Sequence, residues 1–92
     1  MKITVYYLAQ LKQAAGRAAE TVEIDGPCSA LDLVRLLAER HGDGLRRLLF
    51  TTDGSLQPTN LLFIGDVQVR QPAEVQLKDG DSVTVLSPIA GG

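Results

Sequence analysis

Reactive chemistry has few places to reside in this sequence. The candidate side chains are a lone cysteine, Cys28, and a lone histidine, His41. The third candidate is the backbone itself, because the sequence closes on Ser87-Pro88-Ile89-Ala90-Gly91-Gly92, two glycines followed by a bare carboxylate. Glycine loses more backbone entropy on ordering than any other residue, so such a pair offers the fold little. A frayed end is one explanation. A carboxylate delivered into a narrow site is the other, since residues without a β-carbon reach backbone angles closed to the rest.

The two side chains have weaker claims. Cys28 precedes a predicted helix, where the dipole can lower a thiol pKa, but a small residue filling a turn is the stronger reading. A single thiol also excludes an internal disulfide and any zinc or iron-sulfur site built from clustered thiolates. His41 stands at the end of the same helix beside Gly42, where an imidazole can bond free carbonyls, and no second ligand or nucleophile is recognisable around it. "HGDGLRR" has glycines without the spacing or the following Lys-Ser/Thr of a phosphate loop. The Asp and Glu residues show no pairing that suggests acid-base catalysis.

The elements that would position the terminus are legible in the pattern. "KITVYYL" (2–8) is rich in β-branched and aromatic residues, with Ile3, Val5 and Tyr7 on one face and Thr4, Tyr6 and Leu8 on the other, and reads as a strand. "AQLKQAAGRAA" favours a short helical turn stopped near Gly16. "ETVEID" alternates, Val22 and Ile24 inward against Glu23 and Asp25 outward, and predicts a second strand antiparallel to the first. A helix of about 12 residues follows, with Ser29 as N-cap, Asp32 at its positive end, the stripe Ala30, Leu33, Val34, Leu37, a wet face of Asp32, Arg35 and Glu39, and Gly42 closing it in the left-handed conformation. "GLRRLLF" reads as a helical turn running into a strand, and Asp53-Gly54 as a turn. "NLLFIG" (60–65) and the shorter "VQVR" predict strands, Gly80 a tight turn, and "SVTVLS" a last strand with Val83 and Val85 on one face. Pro88 ends pairing there, having no amide hydrogen.

Strand, strand, helix and then more strands, with the first and last strongly apolar, predict an α+β fold: a ubiquitin-like β-grasp, a mixed sheet with the chain ends adjacent at its centre and one main helix packed across one face. The expected organisation is a single β-grasp domain over 1–92, with 87–92 a flexible C-terminal tail. Composition agrees with a folded globule: 45% hydrophobic and 22% charged residues suffice for a core. A formal net charge of −2 leaves no surplus of positive charge for a phosphate backbone. No run approaches the roughly 18 apolar residues of a membrane span. The expectation is a soluble, cytoplasmic protein with no nucleic-acid or membrane partner.

With these residues in view, the sequence resembles the ubiquitin-like sulfur carriers of the MoaD/ThiS family, which include the small subunit of molybdopterin synthase and the thiamine sulfur carrier. The resemblance covers nearly the whole chain and rests on the opening strand running into "LAQLKQAAG", the central helix, the ending "LKDGDSVTVLSPIAGG" and the final diglycine. It implies a protein cosubstrate rather than an enzyme. An E1-like activating enzyme, using ATP and Mg, would adenylate the Gly92 carboxylate and convert it to a thiocarboxylate. No cofactor would be bound by the carrier itself. The acceptor would be an enzyme such as the molybdopterin synthase large subunit or a cysteine synthase, with molybdopterin or cysteine favoured over thiamine as the destination.

Carried over by position, the resemblance places Leu8 and Leu86 where large apolar side chains meet a partner, Lys12 where a basic residue forms an ion pair, Pro88, Ile89 and Ala90 among the partner-binding residues, and Gly91 with Gly92 at the site of the chemistry. Leu8 and Leu86 as plain core residues, and Lys12 as an ordinary solvated lysine, are the competing readings. Two positions depart from the family pattern, Ser87 where a second proline is common and Gly65 where asparagine is frequent. Two other functions remain open: a ubiquitin-like modifier conjugated to proteins through Gly92, and a β-grasp binding module with an inert tail.

Overall fold

A computed structural model describes residues 1–87; residues 88–92 lie outside the described residues. The chain runs β1 (Lys2–Leu8), α1 (Gln10–Ala15), β2 (Ala19–Glu23), α2 (Ala30–His41), α3 (Asp43–Leu49), β3 (Leu61–Ile64), β4 (Val67–Gln68), a single 3-10 turn (Pro72–Glu74) and β5 (Ser82–Leu86). The five strands form one mixed sheet in the order β2-β1-β5-β3-β4. β1 and β5 are parallel at its centre, and all other pairings are antiparallel.

The turn before β5 sets that central pairing. Gly80 takes φ +89°, a left-handed angle that a β-carbon disfavours, and its amide donates to the Lys2 carbonyl at 2.8 Å. The Lys2 amide donates to Asp79 Oδ1 at 2.7 Å, and the Thr4 amide to the Asp81 carbonyl at 3.0 Å. With its first residues held in this way, β5 runs beside β1 in the register Val5↔Val83, Tyr7↔Val85 and Leu8↔Leu86. The two strands therefore end side by side.

α2 forms where the sequence predicts it. Asp32 N donates to Ser29 Oγ at 3.0 Å and Ser29 N to Asp32 Oδ2 at 3.3 Å, a reciprocal capping box that satisfies two otherwise unpaired amides. Its stripe Ala30, Leu33, Val34, Leu37 and Ala38 is buried against Ile3, Val5, Tyr7, Val22, Leu62, Val83 and Val85 of the sheet. Gly42 does stop the helix with a positive φ, but its ψ of −166° lies far from the left-handed helical region. That geometry redirects the chain at once into a further helix, because Gly42 is also the residue before α3.

α3 corrects the reading of "GLRRLLF" as a helical turn running into a strand. Seven residues are helical, Leu45 and Leu49 are buried, and the extended segment shrinks to one bridge, Phe50↔Leu56. The covering layer is thus one main helix with a shorter one attached. The carbonyls left free at the end of α3 are capped by amides downstream: Gln57 N donates to Leu49 O at 2.8 Å, Gln57 Nε2 to Phe50 O at 3.2 Å, and Asn60 Nδ2 to Leu48 O at 2.8 Å. These bonds draw residues 50–60 against the helix.

Candidate functional site

Neighbours across a sheet share a face, so the register shows what the uncovered side carries. Leu8, Leu86 and Leu61 form one row across β1, β5 and β3. Tyr6, Thr84 and Phe63 form the next row. Leu8 and Tyr6 are 43% and 42% exposed, and Leu86, Leu61 and Phe63 are partly exposed. An apolar strip therefore crosses three strands on the side away from α2. It lies at the end of the sheet where β5 finishes.

This arrangement decides between the two readings of Leu8: it is not core. Leu86, half-buried, packs at the centre of the strip, and both residues fall in one row. Lys12 on α1 is exposed and makes no ion pair among the described residues. Of the predicted tail, Ser87 is buried at 8% exposure. Pro88, Ile89, Ala90, Gly91 and Gly92 lie outside the described residues.

Sequence reasoning missed Tyr6, Leu61 and Phe63 as members of the strip. One signal was present: in "LLFI" both parities are apolar, which a strand with one solvated face has no reason to be. Between β1 and α1, Ala9 is the only non-glycine described residue with positive φ, at 54° with ψ −127°. A backbone held there stores strain, of order 1–3 kcal/mol. It sits directly beside Leu8.

The covered side holds a polar cluster instead. Glu20 on β2, its side chain 4% exposed, accepts from the Tyr7 hydroxyl at 2.5 Å and from Arg40 Nη1 at 3.3 Å, and its Oε2 also bonds His41 Nε2. The Tyr7 and His41 rings meet edge to face at 5.8 Å. Burial opposes ionisation of Glu20, but the hydrogen bonds from Tyr7, His41 and Arg40 outweigh it and hold the carboxyl below the usual range. Burial, and then the bond to Glu20, push the Tyr7 hydroxyl far above the ordinary tyrosine value. His41 therefore does not bond helix carbonyls, as its position suggested; it ties α2 to β2. Glu20 was findable, because it shares the inward parity of Val22 and Ile24.

Cys28 is buried. Burial, then the Asp32 carboxylate, raise its thiol pKa, the opposite of what a nucleophile needs. Among the described residues no group of three or more His, Cys, Asp or Glu is placed to hold a metal ion. The feature suited to recognition is the apolar strip, which can dock a partner beside the last strand.

Five strands around a central parallel pair, crossed on one face by a helix and, among the described residues, left open on the other, define a ubiquitin-like β-grasp protein of the α+β class. The sequence profile of the ThiS family matches residues 5–92, and the chain belongs to that family. A molybdopterin synthase sulfur carrier subunit from Chlamydomonas reinhardtii is 27% identical over 92 residues, covering all of both chains. Among solved structures, SAMP1 from Haloferax volcanii shares the fold with a TM-score of 0.87 at 22% identity, over the whole of both chains. A chain of the BexX/CysO complex from Amycolatopsis orientalis is 27% identical with a TM-score of 0.71, covering 98% of this chain and 99% of that one.

Proposed function

We propose that this protein is a sulfur carrier whose Gly92 carboxylate is adenylated by an E1-like enzyme and converted to a thiocarboxylate, which then donates its sulfur to an acceptor enzyme. The observation that carries this reading is the apolar row Leu8–Leu86–Leu61 at the end of β5, from which the sequence leads directly to the diglycine. A partner seated on that row receives residues 88–92, which span roughly 16 Å when extended. That length reaches a buried active site.

The chemistry follows from the group delivered. A terminal carboxyl, with a reference pKa of about 3.3–3.7, is ionised at neutral pH and resists nucleophiles. Attack of its oxygen on the α-phosphorus of ATP releases pyrophosphate and leaves an acyl adenylate. A sulfur nucleophile then forms the C–S bond as AMP departs. Mg and cationic side chains of the activating enzyme offset the charge on the phosphates. Gly91 and Gly92 let those groups approach the acyl carbon. The carrier contributes docking by Leu8, Leu86 and the basic Lys12, and delivery through Pro88, Ile89 and Ala90; it binds no cofactor of its own.

Molybdopterin synthesis is the proposed destination, supported by the whole-length likeness to the Chlamydomonas subunit, with cysteine synthesis the second. Incubation with an activating enzyme, ATP, Mg and a sulfur source should raise the mass by about 16 Da, oxygen exchanged for sulfur at the terminal carboxyl. Sulfur should then pass to a molybdopterin synthase large subunit in preference to a cysteine synthase. An unchanged mass with competent partners refutes the reading. Conjugates of higher mass in lysate, lost on deletion of Gly92, would identify a protein modifier instead.

A further inference from the structure

A groove of about 520 Å³ lies on the helical side of the molecule, between α2, α3 and the 50–57 segment. Arg35, Arg46 and Arg47 line it together with Phe50, Thr52 and Glu39. The protein carries a formal net charge of −2, yet this groove holds three guanidinium groups against one carboxylate. None of the three forms an ion pair among the described residues, where the only ion pairs join Glu20 to Arg40 and His41. All three are exposed and gathered from two helices onto one concavity, Arg46 and Arg47 from the last turn of α3, where their charge also suits the helix dipole. They are well suited to a phosphate, whose oxygens match the planar donor fork.

The remaining lining narrows the ligand. Phe50 and Ala38 supply an apolar wall, and the Glu39 carboxylate, which repels a bare phosphate, accepts hydrogen bonds from amino or hydroxyl groups. The volume falls within the roughly 300–1,000 Å³ of small-molecule sites and well above what inorganic phosphate fills. The far wall is built in place: Thr51 N donates to Ser55 O at 2.7 Å, Ser55 N to Asp53 Oδ1 at 3.0 Å, and Gln57 anchors the segment to the end of α3.

We propose that this groove is a second binding site, for a small phosphate ester of mononucleotide size that also carries hydrogen-bond donors and a planar apolar part. It opens on the side opposite the strip of Leu8, Leu61 and Leu86, so it stays accessible while that strip is docked. Binding in the groove does not depend on sulfur transfer.

Titration of the isotope-labelled full chain with AMP, followed by amide NMR shifts, tests it. Saturable shifts are expected at residues 35–39 and 46–54, and the double variant Arg46→Ala/Arg47→Ala should weaken binding about tenfold or more, the loss of two charge-assisted contacts. Phe50→Leu should weaken AMP while leaving inorganic phosphate unchanged. Retained spectral dispersion shows that each variant is folded, and Arg46→Lys, which keeps charge without the fork, should fall between. No saturable shift with AMP at about 10 mM, a level that detects even millimolar affinity, overturns the proposal. So does binding that ignores the arginine pair. Saturable shifts with hexaglutamate but not AMP overturn it in favour of an acidic polypeptide.

Discussion

Tyr6 and Tyr7 are neighbours on β1 and live in opposite surroundings. Tyr7 is 1% exposed beneath α2 and gives its hydroxyl to Glu20; Tyr6 is 42% exposed beside Leu8. The same contrast runs through the sheet. Its covered face is closed by Leu33, Val34 and Leu37, and its polar atoms are tied off at the rim by Glu20, Arg40 and His41. Its open face is also apolar along one end, yet nothing of this chain's described residues lies over it. One face carries stability. The other leaves apolar surface exposed, the kind of patch on which the proposed docking rests.

Substitutions on the two faces should separate in kind. Leu33→Ala, at the centre of the covered face, should cost about 3 kcal/mol in urea unfolding, the usual penalty for a buried leucine, and leave partner affinity of the folded fraction intact. Weakened docking by a still-folded Leu33→Ala chain would blur the division. Glu20→Gln, at the rim, should cost about 2 kcal/mol near neutral pH, because a buried network loses its charged acceptor. Since the folded carboxyl lies below its unfolded value of about 4.3, this contribution is complete above that pH and fades as pH falls through the lower folded value. Acid titration of wild type and variant should therefore begin to draw together as pH falls below the unfolded value of about 4.3, and coincide only below the folded one.

On the open face the expected sizes are smaller and the readout changes. Leu8→Ala should weaken binding to the proposed acceptor enzyme about tenfold by calorimetry, while moving unfolding by less than about 0.5 kcal/mol. A large stability loss would return Leu8 to the core. At the junction of the two, Ala9→Gly should stabilise the fold by roughly 1 kcal/mol, because glycine relieves a positive φ at a lesser entropic cost. Lower stability in that variant would mean the angle is unstrained.

How much of this was legible varies with the range of the interaction. α2 could be read residue by residue, since its cap and stripe are local. β1, β5 and the turn at Gly80 were equally plain. The seven-residue α3 was not, because "GLRRLLF" is too short for helical periodicity to outweigh its strand-like residues. Leu8 and Leu86 came from family resemblance, whereas Leu61 and Phe63 join the strip only through the register of β3 on β5, about 20 residues away in sequence. The Glu20 cluster failed for a similar reason: parity pointed inward, but its partners come from strand and helix positions no local pattern connects. The groove with Arg35, Arg46 and Arg47 needed α3 itself. Without that helix the Arg46-Arg47 doublet is only two charges.

Placing β5 between β1 and β3 also orders events during synthesis. Of the described strands β5 is the last in sequence, so β1 and β3 have no strand to join them until residues 82–86 are in place. Neither the hydrophobic landing strip nor its alignment exists before then.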